Sequence, residues 1–280
     1  MTLAGWLAAL AVGLLAGGMS GLLGIGGGVV MVPFLYLLLA HPEWSGIGAA
    51  PGREAVLAHA TSLFVIIPTS LRGAWLYHRA RLVEWRAVWV LGAGSIVGAA
   101  ATAAWADRVP GAALKLAFAA FLLATAAQLW RSRRGSVDVE RRPSGRAHAV
   151  RGILGGILVG ALSALLGVGG GIVAIPVLLY VLDVDVRKVA ATSLAVIVLT
   201  ATAGTLAYAL AGAEGAPAGA VGYVYLPAAL ALAAGTLVSV RWGTQWNRRL
   251  PEDALRRVFA VTLAVVAVWI VVRSAGAVVR

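Results

Sequence analysis

Two stretches of this chain carry the same unusual set of backbone donors. Residues 22–33 read LLGIGGGVVMVP and residues 165–176 read LLGVGGGIVAIP. Glycine costs about 1 kcal/mol relative to alanine in a helix interior, so a triple run inside an apolar segment marks a break in a helix. A helix that starts after such a break presents unpaired N–H groups and the positive end of its dipole, and glycine leaves the approach to them open. Gly26, Gly27 and Gly28, with Gly169, Gly170 and Gly171, are therefore candidate ligands for an anion. Helix packing is the competing use of glycine, and the spacings Gly152/Gly156/Gly160 and Gly94/Gly98 fit that use. Neither run is a nucleotide loop. No Gly-Lys-Ser/Thr follows, Val29 and Ile172 stand where a dinucleotide fingerprint needs its third glycine, and no strand precedes.

Hydroxyls recur at matched positions. AHATSLFVI at 58–66 pairs with AATSLAVI at 190–197, setting Thr61-Ser62 over Thr192-Ser193 about one turn into the following helices. These hydroxyls can donate to an oxyanion without adding charge, or bond back to the preceding turn. Ser20 and Ser163, just before the glycine runs, join the candidates. His59 has Ala190 opposite it in the second copy. It could take a proton, contact the anion, or be a packed, hydrogen-bonded residue. Arg72 reads as a side chain that reaches the interface. Lys115 and Arg256 match between copies and either line an anion vestibule or anchor helices.

What is missing is equally informative. All 11 acidic residues fall in loops or at helix edges, and there is no cysteine. Cation carriers and proton pumps use a carboxylate at mid-membrane, and an intramembrane enzyme needs a catalytic cluster there. The buried polarity is rich in donors and poor in acceptors. The chain is therefore not expected to be an enzyme or to hold a cofactor or metal.

The elements that must position these residues are membrane helices. Of 280 residues, 61% are hydrophobic and 12% are charged. Apolar segments recur at roughly 3–19, 29–40, 55–78, 86–105, 111–130, 150–166, 172–182, 188–210, 221–240 and 255–273, as in a polytopic membrane protein. The net charge of +12 comes mainly from arginines in short loops, so it fixes topology and gives no reason to expect nucleic acid as a partner.

The chain divides into a first membrane repeat at 1–130, a basic linker at 131–149 and a second repeat at 150–280. Gly73 falls over Gly204, Tyr77 over Tyr208, GSIVG at 94–98 over GTLVS at 235–239, and VPGAALKLAF over LPEDALRRVF. The arginine-rich linker is placed in the cytoplasm by the positive-inside rule. The loop at 79–86 is then inside, while its counterpart at 211–220, without Lys or Arg, is outside. The loop at 106–110 is outside, and its counterpart at 241–254, with Arg241, Arg248 and Arg249, is inside. These pairs predict inverted repeats with both termini outside, although Arg273 and Arg280 dissent.

The segments 29–40 and 172–182 are too short to cross a ~30 Å hydrocarbon core. Each glycine run is thus the tip of a re-entrant hairpin at membrane depth, buried or lining a wet cavity. Pro33 and Pro176 fit the first turn of these short helices, where a missing N–H costs little. The predicted fold is an all-α polytopic membrane protein with two inverted-topology repeats. Each repeat has a glycine-broken re-entrant hairpin plus three transmembrane helices.

The paired LLGIGGG…P and LLGVGGG…P motifs, each followed by a Thr-Ser helix, resemble the TauE/SafE (sulfite exporter) family of membrane transporters along nearly the whole chain. The resemblance implies a secondary transporter of small sulfur oxyanions or organosulfonates, such as sulfite or sulfoacetate, in the bacterial cytoplasmic membrane. Its partners would be the anion, the bilayer and a coupling proton or sodium ion. An anion channel, or an importer of another small anion, would use the same site. Exact substrate, direction, coupling and oligomeric state stay open.

Overall fold

The computed structural model describes residues 1–41, 43, 53–105, 108–110, 113–114, 116–120, 123–124, 127, 146–211, 217–249, 261, 264, 265, 267 and 268. Lys115, Arg256, Arg273, Arg280 and most of the 131–149 linker lie outside these residues. So does much of the last helix expected in each repeat, at 111–130 and 255–273.

The described helices are α1 (Leu3–Leu23), α2 (Gly28–Ala40), α3 (Glu54–Arg79), α4 (Trp85–Ala103), α5 (Arg146–Leu166), α6 (Gly171–Tyr180), α7 (Val186–Leu210) and α8 (Leu226–Asn247). Six of them, α1, α3, α4, α5, α7 and α8, are long and apolar enough to cross a membrane. The short ones, α2 and α6, are the two that follow the glycine runs. Thr2 caps α1 by accepting from Gly5 N–H, and the Asp185 carboxylate caps α7 by accepting from Arg187 N–H.

Several boundaries differ from the sequence reading, and α1 and α8 run on to Leu23 and Asn247. The helix expected at 150–166 begins at Arg146, inside the segment taken as linker. The segment expected as helix from 221 opens instead with a two-residue hairpin, Ala220–Val221 paired antiparallel with Val224–Tyr225, before α8 starts at Leu226. The β-favouring Val and Tyr residues around Gly222 explain the hairpin, and Pro227 helps begin the helix. Pro33 and Pro176 each stand at the sixth residue of their helix, not in its first turn. There the missing N–H releases the carbonyl one turn back, at Val29 and Ile172.

The packing follows small residues. A Cβ built on Gly13, Gly17 or Gly21 would meet the carbonyl oxygens of Leu232, Thr236 or Val240 at 2.4, 2.4 and 2.3 Å, so α1 and α8 lie backbone to backbone and run in the same direction. Gly94 and Gly98 meet the Ile153 and Ile157 carbonyls at 2.0 and 2.1 Å, giving α4 and α5 the same relationship. Thr69 donates to the Thr236 hydroxyl at 2.6 Å, and Gly73 lies against Val240, so α3 also runs with α8. The matching bond, Thr200 to Ser95 at 2.8 Å, and the approach of Gly204 to Ala99 align α7 with α4. Between α3 and α7 the order reverses: Gly73 faces Leu194, whereas Gly204 faces Leu63. The two long helices therefore cross in opposite directions. Tyr77 donates to the Gly21 carbonyl at 2.8 Å and its counterpart Tyr208 to the Ala164 carbonyl at 3.0 Å, tying each long helix to the first helix of its own repeat.

Candidate functional site

The two glycine runs meet. After α1, Gly24 takes a left-handed conformation and the chain folds back, so that a Cβ on Gly27 would lie 2.8 Å from the Ala16 carbonyl, part-way down α1. Gly170 makes the same return beside Val159 and Ser163. Gly27 and Gly170 cap α2 and α6 at φ 84° and 83°, where a side chain would be strained. Gly28 approaches the opposite run so closely that a Cβ would fall 2.6 Å from the Gly167 oxygen. For Gly171 the figure is 2.6 Å, to Ile25 Cα. Residues 24–29 and 167–172 are all buried.

Among the described residues, the N–H groups of Gly26, Gly27, Gly28 and Val29, and those of Gly169, Gly170, Gly171 and Ile172, have no hydrogen-bond acceptor. Two helix starts thus converge with their donors unsatisfied in the protein interior. Unpaired buried donors are rare and call for a partner.

The hydroxyls divide into two groups. Ser20, Ser62 and Ser163 are buried with no hydrogen-bond partner among the described residues. Ser20 and Ser163 hold equivalent positions in the last turns of α1 and α5, and Ser163 Cβ lies 3.2 Å from a Cβ built on Gly170. Ser193 differs from its counterpart Ser62, because it donates to the Gly24 carbonyl at 2.9 Å. Thr61 and Thr192 stand about two turns into α3 and α7, deeper than the sequence suggested. Their oxygens accept from backbone N–H groups of the opposite repeat, Tyr225 at 2.9 Å and Glu84 at 3.1 Å. Thr192 also donates to the Lys188 carbonyl. The threonines join the repeats at the start of each fourth helix.

His59 is buried and hydrogen-bonded through Nε2 to the Tyr36 hydroxyl, with the Phe118 ring 6.3 Å away. Its Cα abuts Gly167, as the Cα of Ala190 abuts Gly24. The pair has no copy in the second repeat, where Leu179 and Ala190 stand. Arg72 is half-buried two turns before the end of α3. Burial raises the Tyr225 phenol above its usual titration range, so it stays neutral.

Sequence reasoning missed Ile66 and Ile197, which close the face of both runs. It also missed Tyr36 and the Arg53–Tyr223 contact at 2.9 Å. The isoleucines did leave a signal, since each ends the duplicated Thr-Ser segment. Chemically the site offers amide and hydroxyl donors in an apolar surround. Among the described residues no cluster of His, Asp or Glu could hold a metal.

Comparison with known proteins gives a consistent result. The family model described as Sulfite exporter TauE/SafE matches residues 9–270. A "probable membrane transporter protein" of Methanocaldococcus jannaschii is 30% identical, with 92% of each chain covered. One of Haemophilus influenzae is 28% identical over 92% of this chain and 95% of its own. One of Bacillus subtilis is 24% identical over 91% and 93%. No solved structure matches.

Proposed function

The chain belongs to the TauE/SafE sulfite exporter family of membrane transporters, and from that membership we propose that it exports small sulfur oxyanions or organosulfonates, such as sulfite or sulfoacetate, by alternating access. It is a multi-pass membrane protein and not an enzyme. The observation that carries the reading is the meeting of two helix starts whose eight N–H groups lack acceptors among the described residues. Ser20, Ser62 and Ser163 add hydroxyl donors, and among the described residues no buried carboxylate opposes a negative charge there. The opposed directions of α3 and α7 support two inverted repeats, and the close pairing of α1 with α8 and of α5 with α4 interleaves them, so the bodies that would rock about this centre are α1, α3 and α8 against α4, α5 and α7. In the proposed setting the bacterial cytoplasmic membrane holds the protein with the linker inside and both termini outside.

The test is anion binding and flux by purified protein in liposomes. Leucine at Gly27 or Gly170 should abolish sulfite transport. Ser62→Ala and Ser163→Ala break no existing bond and should weaken sulfite binding while leaving folding intact. Wild-type binding by folded variants of both kinds overturns the site. Flux far above carrier turnover, without exchange behaviour, would make the protein a channel.

A further inference from the structure

The face that both glycine runs present is filled by two side chains. Ile66 on α3 and Ile197 on α7 are completely buried and hold equivalent places, one turn beyond Ser62 and Ser193. A Cβ on Gly26 would lie 3.2 Å from Ile66 Cγ2 and 3.5 Å from Ile197 Cγ2. On Gly169 the distances are 2.9 and 3.0 Å. Each isoleucine therefore touches both runs, at the one place where the repeats share a centre. The runs offer hydrogen-bond donors, and the isoleucines offer an anion nothing. A solute held by those donors meets a branched apolar wall on that side, and apolar constrictions of this kind block ions by excluding water. The wall is built from two helices that cross in opposite directions, and a tilt of α1, α3 and α8 together against α4, α5 and α7 would separate its two members. No single-helix rotamer change is needed.

We propose that Ile66 and Ile197 form a paired apolar gate over the anion site, and that their bulk sets the largest anion that passes. The proposal rests on the reading that the glycine runs hold the anion. It makes these residues specificity-determining, whereas simple core packing would give them no effect on which solute moves.

The experiment compares Ile66→Ala, Ile197→Ala and the double variant with Ile→Val controls, using full-length protein in liposomes. Flux of benzenesulfonate is measured against flux of sulfite. The ratio should rise about tenfold in the single alanine variants, the scale of discrimination that a few methylenes provide. It should rise further in the double variant and stay within about twofold in the valine controls. A packing role lowers both fluxes together, and an unchanged ratio overturns the gate.

The absence of native cysteine gives a second measurement that survives poor folding of the alanine variants. Ile66→Cys and Ile197→Cys should resist a membrane-impermeant thiol reagent at rest and react with it during turnover of sulfoacetate, a sulfonate that does not consume the reagent as sulfite would. Reaction at the same rate with and without turnover also overturns the gate. Failure of the anion site reads differently. In that case the Gly27 and serine variants keep wild-type sulfite binding while the isoleucine variants still change the size ratio.

Discussion

Adding one methyl group where the two runs touch should separate the repeats and stop transport. Gly28 and Gly171 are suited to this perturbation because neither sits at positive φ, so alanine there introduces a clash without backbone strain. The new Cβ on Gly28 would stand 2.6 Å from the Gly167 oxygen, 0.8 Å inside the 3.4 Å at which ordinary contact begins. The opposing atoms are backbone and cannot rotate away. Overpacking of this kind costs about 1–3 kcal/mol. Gly18 is the control: it lies in α1, and no heavy atom falls within 4 Å of its built Cβ. Alanine there should be neutral or stabilising by about 0.5–1 kcal/mol. A given outward shift of one run accommodates both new methyls, so the Gly28→Ala/Gly171→Ala double variant should lose less stability than the two single losses added together. Unfolding of purified protein in detergent gives the stabilities, and sulfite flux in liposomes gives function. Gly28→Ala protein as stable and active as Gly18→Ala protein would refute contact between the runs in the working transporter.

Three further outcomes follow from single contacts. Thr61→Val leaves the buried Tyr225 N–H without its acceptor and should cost about 1–3 kcal/mol, with Thr61→Ser largely restoring it, as read by unfolding. Tyr77→Phe and Tyr208→Phe each remove one hydroxyl-to-carbonyl bond at equivalent places and should destabilise to a similar extent, about 1 kcal/mol. Lys188→Met removes the 3.1 Å ion pair with Glu84. Their side chains are 38% and 43% exposed, so the loss should stay below about 1 kcal/mol and vanish in high salt, where an urea titration would show it.

The glycine breaks, the short helices after them and the duplication were legible because each leaves a local mark: a run of a costly residue, an apolar length, a repeated string. Hydroxyl roles were not. Thr61 meets its partner across 164 residues, and nothing in AHATSLFVI distinguishes a hydroxyl that caps the other repeat from one facing the centre. The inequality of Ser62 and Ser193 was equally hidden, since both occupy the same motif and only tertiary packing gives Ser193 the Gly24 carbonyl. Ile66 and Ile197 were overlooked for the opposite reason. An isoleucine in an apolar helix carries no local signal, and only its recurrence at the same offset set it apart. The hairpin before α8 was lost because Val and Tyr satisfy a hydropathy window as readily as they favour a strand.

The two repeats share one frame but fasten it differently at its two ends. Because α3 and α7 run in opposite directions, their first turns lie at opposite ends of the pair. At the start of α7, Lys188 holds Glu84, the residue that precedes α4, and Thr192 takes the Glu84 N–H. At the start of α3, Arg53 holds Tyr223 in the hairpin before α8, and Thr61 takes the Tyr225 N–H. Each end therefore joins the long helix of one repeat to the approach of the fourth helix of the other. One uses a solvent-screened ion pair and the other a neutral acceptor backed by aromatic rings, with Tyr208 packed edge-on against Tyr223. This chain departs from symmetry at the ends and at Tyr36–His59 beside the second glycine run, while keeping Gly26, Gly169, Ile66 and Ile197 matched at the centre. Ser193, bonded to the Gly24 carbonyl where Ser62 has no partner among the described residues, departs from symmetry as well, and salt should loosen only the Lys188–Glu84 end of the α3–α7 pair.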